Sequence, residues 1–240
     1  MAMTYLDHNL QAVREAIAGT CAAHGRDPAA VTLVAAIKSG EVEEINYLHR
    51  VLGVSCVGEN RVQQLLARYD ALDKEGLSIH FIGTLQTNKV KYIIDKVDMI
   101  QSLDSVRLAE EIQKQAAKVG RVMDVLIEIN AGCEEAKSGI APAEVEDFAH
   151  TVCSGAYPHL RLRGFMTMAP RCDSDDTYRR YFANTRTLCK RIWQGLGRYP
   201  SEMVLSMGMS ESYLPAVAEG ATMVRVGRGL FAGRPTDVPV

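Results

Sequence analysis

The sequence predicts a single (β/α)8 TIM barrel with an extra helix at its amino terminus. Three observations lead there. Eight short apolar runs bounded by turn residues alternate with segments whose apolar positions recur at helical spacing. The chain has 240 residues, close to the ~250 typical of such barrels. No Ser/Gly/Pro-rich linker or shift in composition divides it, so residues 1–240 are read as one domain. Local right-handed crossovers then favour closure over the alternative, an open doubly wound sheet.

Residues 4–24 carry Leu6, Leu10, Val13, Ile17 and Cys21 on one stripe, the pattern of an amphipathic helix, and Gly25 and Pro28 end it. Residues 31–38 read VTLVAAIK, a buried parallel strand. Thr32, Val34, Ala36 and Lys38 share one face of it, and Leu33, Ala35 and Ile37 the other. Residues 41–52 follow as a helix, with Val42, Ile45, Leu48 and Leu52 in a stripe and three glutamates in its first turn. Strand 54–58 leads to a helix at 62–69, and strand 79–83 to a helix at about 88–96. Short strand 98–101 precedes a helix capped by Asp104 or Ser105 and stopped by Gly120. The fifth strand is 122–130, followed by the loop AGCEEAKSG and a helix at about 142–153. The sixth is 162–168, stopped by Pro170, with a long helix ending near 196. Strand seven is 203–206, a short helix spans 211–219, and strand eight is 222–226, followed by GRGLFAG and a tail.

Composition narrows the class. A formal net charge of −2 gives no electrostatic reason to expect nucleic acid or an anionic membrane as partner. The opening MAMTYLDHNL has neither a basic nor an apolar signal region, and no apolar run approaches bilayer length. A cytoplasmic protein is expected. Cys21, Cys56, Cys133, Cys153, Cys172 and Cys189 lack CxxC or Cys/His ligand spacing, and HExxH is absent. They read as reduced thiols, with no metal site.

In a barrel the strand carboxyl ends share one face, where the chemistry sits. That face would gather Lys38, Glu59 and Asn60, Thr84 and Asn88, Asn130, Met168, residues 206–210 and residues 225–229. Lys38 is either a snorkelling cap on strand one or an amine in a partly dry pocket, where desolvation makes it a nucleophile toward carbonyls. After strands seven and eight come Ser206-Met207-Gly208-Met209-Ser210 and Gly227-Arg228-Gly229, loops of the kind that bind phosphate in such barrels. An amine opposite a phosphate cradle suits an aldehyde-phosphate cofactor. Simpler readings stand beside each residue. The glycines can make a turn only, and Ser206, Ser210 and Asn60 can cap helices. Met166, Met168, Met207 and Met209 read as packing, and Lys137 as a solvated lysine or a second amine site. His80 reads as a hydrogen-bonded core histidine. Arg225 lies within an apolar strand, so its guanidinium needs a partner.

The segments VAAIKSG, VGENRVQQ, IHFIGTLQTNK, IEINAGCEEAKSGI, LRGFMTMAP, LSMGMSESYLPAVAEG and TMVRVGRGLFAG run in order from about residue 31 to 233. They resemble the pyridoxal-phosphate homeostasis proteins (the PROSC family), single barrels related to the N-terminal domain of alanine racemase. The resemblance implies that Lys38 carries pyridoxal 5′-phosphate as an internal aldimine, that Asn60 sits by the ring and that Arg225 faces the ring nitrogen. It implies a phosphate lined by Ser206, Ser210, Gly227 and Arg228, and Met207 is grouped with these cofactor-binding residues. Position 228 is often a small hydroxyl residue in the family and is arginine here, so its backbone N–H is the part expected to serve the phosphate.

Three functions follow: a carrier of the cofactor in intracellular homeostasis, an amino-acid racemase, or a class I aldolase using Lys38. A guanidinium stays charged and leaves the ring nitrogen unprotonated, which weakens the ring as an electron sink. Racemisation then needs two bases on opposite faces. The resemblance implies that racemases take the second from an added β-domain, which this sequence lacks, and Tyr213 reads as structural. No second lysine or acid for an aldolase is apparent near Lys38. The expectation is therefore a monomeric carrier without robust catalysis, with pyridoxal phosphate as ligand and apo-enzymes that use it as partners.

Overall fold

The apolar runs pair with their neighbours in chain order, as short right-handed crossovers dictate. In a computed structural model, which describes residues 3–132 and 138–234, eight parallel strands close into a barrel, the last pairing with the first. Cys133 and Lys137 lie outside the described residues. The strands are β1 (Thr32–Ala36), β2 (Cys56–Glu59), β3 (Ser78–Phe81), β4 (Met99–Leu103), β5 (Met123–Ile129), β6 (Leu160–Thr167), β7 (Val204–Met209) and β8 (Met223–Val226). Helix α1 (Thr4–Ala23) precedes β1. Then α2 (Val42–Arg50), α3 (Val62–Arg68), α4 (Val90–Ile93), α5 (Val106–Lys118), α6 (Val145–Cys153), α7 (Asp175–Gly195) and α8 (Tyr213–Ala218) each follow one of the first seven strands. Among the described residues, no helix is long and apolar enough to cross a membrane.

Among the described residues, no helix follows β8. Residues 227–234 form turns, and α1 takes the eighth place in the outer ring, between α2 and α8. Its stripe of Leu6, Leu10, Val13, Ile17 and Cys21 is buried in the main core, each large side chain contributing about 1.5–3 kcal/mol. Polar ties flank the stripe. Tyr47 of α2 donates to Asp7, and Arg26 donates to the carbonyls of Val217 in α8 and Ala221 before β8. Asn9 donates to the carbonyls of Leu230 (2.9 Å) and Ala232 (2.8 Å) in the loop after β8.

Local signals account for the other boundaries. The Ser105 hydroxyl caps α5 by accepting from Leu108 N–H, and Gly120, at φ 65°, ends it. Period-two alternation separates two layers of packing. Leu33, Ala35 and Ile37 face the helices, whereas Val34 meets Cys56 and Met223 inside the barrel. Met99, Leu126 and Met166 fill the opposite side of the interior. The rest of the barrel axis is polar: His80, Gln101, Ser206 and Arg225 are all buried.

Candidate functional site

At the carboxyl ends of the strands a cavity of about 450 Å³ opens, within the range of small-ligand sites. Lys38, Asn60, Ser210, Arg225, Gly227 and Arg228 line it together, with Ala36 and Met168 beside them. These residues come from the ends of β1, β2, β6, β7 and β8. A larger depression of about 750 Å³ lies at the amino ends of the strands, where barrels carry stability rather than chemistry.

Lys38 stands two residues beyond its strand. β1 ends at Ala36, and Gly40 N–H donates to the Ile37 carbonyl (3.0 Å), so Lys38 occupies the turn. Its side chain is exposed at the cavity mouth, a wetter position than the partly dry pocket expected. The turn's backbone is held from both sides. Arg68 of α3 donates to the Ile37 carbonyl (2.7 Å), and Arg234 donates to the Ser39 carbonyl (2.6 Å). Arg234 is itself paired with Glu44, which also accepts from Tyr5 and from the Glu41 N–H at the start of α2. The amine therefore rides on a braced turn.

Asn60 is set by its neighbour. The buried Glu59 carboxylate accepts from the N–H groups of Asn60 (2.7 Å) and Arg61 (3.1 Å) and pairs with Arg68 at 3.5 Å. Burial pushes the Glu59 carboxyl up, and the two N–H donors and Arg68 pull it back. The Asn60 side-chain oxygen is buried without a hydrogen-bond partner among the described residues, an acceptor left for something else.

Arg225 is 4% exposed and lies on the cavity floor. It donates to Ser206 Oγ (2.6 Å) and to the Thr167 carbonyl (2.9 Å). Burial lowers its pKa to about 10, opposed by the carboxyl of Glu128. Glu128 is buried, accepts from Ser138 at 2.8 Å, and is pushed up by desolvation. A guanidinium has five N–H donors, so Arg225 keeps donors for a ligand.

The loop after β7 turns sharply. Gly208 has φ 92°, and a Cβ there would lie 2.6 Å from Ala216 Cβ, so only glycine fits. The Gly227 N–H donates to Ser210 Oγ at 3.2 Å, joining the two loops. A Cβ on Gly227 would come within 2.9 Å of the Ala36 carbonyl, filling the space beside the cavity wall. The Arg228 side chain turns to Glu211 at 2.8 Å, both well exposed, leaving its backbone at the cavity. An exposed pair of this kind contributes about 0–1 kcal/mol.

Of the eight residues assigned to the cofactor from the sequence, two do not line the cavity, and neither do Glu59, Thr84, Asn88 and Asn130 from the same face. Ser206 lies one layer deeper, between Arg225 and Gln101. Met207, next in the alternation, faces outward into the helical core. Three residues that sequence reasoning did not single out do matter. Gln101 and Ile82 come from β4 and from the end of β3, and Tyr178, stacked on Phe182 at 6.2 Å, reaches the cavity from α7. The signal for Tyr178 was its place in the first turn after the loop from β6.

The family model for the alanine racemase N-terminal domain matches residues 3–235. The pyridoxal phosphate homeostasis protein of Aquifex aeolicus (strain VF5) is 41% identical over 227 residues, covering 94% of this chain and 96% of its own. That of Escherichia coli (strain K12) is 35% identical, covering 97% and 98%. PipY of Synechococcus elongatus PCC7942, solved with PLP bound, superposes with a TM-score of 0.75 at 31% identity, covering 90% of this chain and 100% of that one.

Proposed function

Because the chain belongs to the pyridoxal phosphate homeostasis proteins, within the alanine racemase N-terminal domain family, we propose that it binds pyridoxal 5′-phosphate at the barrel mouth and serves the homeostasis of that cofactor. The observation that supports this is the meeting of an amine, a buried guanidinium and two Ser/Gly loops on one cavity. The unmet acceptor of Asn60 suits a polar ring substituent, and Gly227 lets the β8 loop lie close against Ala36 at the cavity wall.

Lys38 holds the cofactor covalently: its amine condenses with the aldehyde, one water leaves, and a Schiff base joins them. When bound, the cofactor supplies a conjugated ring able to accept electrons. Arg225 donates to the ring nitrogen from below. Even at about 10 its pKa keeps the guanidinium charged at neutral pH, so the ring nitrogen accepts a hydrogen bond and gains no proton. Asn60 sits beside the ring. Ser210 and the Arg228 N–H take the phosphate, joined by the Gly227 N–H once it gives up its bond to Ser210 Oγ, while Ser206 serves at one remove through Arg225.

The chain's task is carriage. It acts as a cytoplasmic monomer of one domain that takes up the cofactor and gives it to apo-enzymes. An exposed amine on a braced turn suits exchange better than a sealed active site. Titration with pyridoxal phosphate should produce a yellow protein, and Lys38→Ala should abolish the band. Alanine and serine should be racemised negligibly. A Lys38→Ala chain that stays equally yellow would refute the attachment, and racemisation at ordinary enzyme rates would make the protein a racemase.

A further inference from the structure

The barrel interior carries a line of polar side chains that the binding site alone does not require. It runs from Arg225 on β8 through Ser206 on β7 and Gln101 on β4 to His80 on β3, and ends at Cys56 on β2. All five are at most 5% exposed. From Arg225 to His80 its directions follow one from the next, with the Gln101 amide oxygen toward Ser206. Arg225 can only donate, so Ser206 Oγ accepts from it at 2.6 Å. The Ser206 proton is then free to go to Gln101 Oε1 at 2.7 Å. With its oxygen so used, Gln101 turns its NH2 to His80 Nδ1 at 2.9 Å and to Met223 Sδ at 3.1 Å. His80 Nδ1 then accepts from Gln101, so the ring proton sits on Nε2, and Cys56 Sγ lies near both ring nitrogens, 3.6 Å from Nδ1 and 3.7 Å from Nε2.

We propose that Ser206 and Gln101 are positioning residues that hold the Arg225 guanidinium in one plane beneath the cavity, with His80 as the fixed end of the line. This deepens the pyridoxal phosphate reading and rests on it for the meaning of Arg225. With the His80 proton on Nε2, turning the Gln101 amide over would set its oxygen against the Nδ1 lone pair and its NH2 against the Ser206 proton in a buried place. As observed, each group from Arg225 to His80 meets its complement. His80 can anchor it because burial holds its pKa down to about 4, leaving Nδ1 a free acceptor at neutral pH.

The test begins without cofactor. Nitrogen-15 NMR should find His80 neutral with its proton on Nε2 between about pH 5 and 8. The Arg225 side chain should show separate, slowly averaging guanidinium resonances. Gln101→Glu accepts from Ser206 but cannot donate, so it should move the His80 proton to Nδ1 while Arg225 stays pinned. Ser206→Ala and Gln101→Met should release Arg225 to rapid averaging. In protein loaded with pyridoxal phosphate, both should shift the absorption band and speed cofactor release roughly tenfold, as expected for about 1.4 kcal/mol; Gln101→Glu should restore the original band. A proton on His80 Nδ1 in the unaltered chain, a tautomer indifferent to Gln101→Glu, or an Arg225 still pinned in Ser206→Ala would each overturn the proposal. An unaltered chain that takes up no cofactor would sink the functional reading, and the two NMR results would still decide the line.

Discussion

Arg225 is a charge held where charge is expensive, and replacing it separates structure from function. The fall from the ordinary arginine value to about 10 corresponds to about 3 kcal/mol that burial costs the charged form. Against this stand its two bonds, to Ser206 Oγ and the Thr167 carbonyl, each about 1.5–3 kcal/mol for a charged donor. Arg225→Met keeps the apolar stem and removes both the cost and the bonds, so the two sides nearly cancel. Glu128 loses its distant counter-charge, but its raised pKa lets it take a proton instead. The unloaded Arg225→Met chain should therefore unfold in urea within about 2 kcal/mol of the unaltered one, as buried ions replaced by apolar groups commonly do. Loaded with pyridoxal phosphate, it should release the cofactor roughly tenfold to hundredfold faster, the equivalent of one lost charged hydrogen bond. A loss beyond about 4 kcal/mol in the unloaded chain would make Arg225 a structural ion, since that is the range for breaking a buried pair. Unchanged release would remove it from the site.

Three further outcomes follow from particular contacts. A Cβ on Gly83 would lie 2.2 Å from the Asn60 carbonyl, so Gly83→Ala should cost about 1–3 kcal/mol and weaken cofactor binding; Gly19→Ala, in open space on α1, should stabilise by about 0.5–1 kcal/mol, both read by thermal melting. His80 has a folded pKa of about 4, below its ordinary 6.5, so its contribution is complete above about 6.5 and lost as pH falls toward 4. Between about pH 7 and 4.5 the unaltered chain should lose about 2–3 kcal/mol more stability to urea than His80→Gln, and equal losses would refute this. Asn9→Ala removes the two bonds from α1 to the loop after β8, so stability should fall by about 1–2 kcal/mol. Amide exchange at Leu230 and Phe231 should quicken, and unchanged exchange would show that α1 does not brace that loop.

Much of the architecture was legible because strand and helix differ in period. Eight apolar runs marked the strands, and alternation in β1 separated Val34 and Ala36, which face the barrel interior and the cavity, from Leu33, Ala35 and Ile37, which face the helices. The end of that strand was not legible. Ser39-Gly40 announces a turn, but the bond from Gly40 N–H to the Ile37 carbonyl starts it early and frees Lys38 from the strand. Nor does a one-dimensional pattern reveal that α1 closes the outer ring, because that depends on contacts spanning the chain, such as Asn9 with Leu230. Ser206 and Met207 looked alike as loop residues. β7 extends to Met209, with a register shift against β8 between Ser206 and Met209, and sends one inward and the other out. Gln101 was hidden for another reason: it keeps step with Met99 and turns inward with it, but a lone glutamine in a short strand carries no signal until the fold brings Ser206 and His80 beside it.

The central claim is a covalent one, and chemistry can read it directly. The protein loaded with pyridoxal phosphate would be reduced with borohydride, digested, and its peptides weighed and sequenced. The account predicts a single pyridoxyl-bearing peptide, with the group on Lys38. A group on any other lysine, Lys137 included, or no labelled peptide from a protein that was yellow, would contradict it.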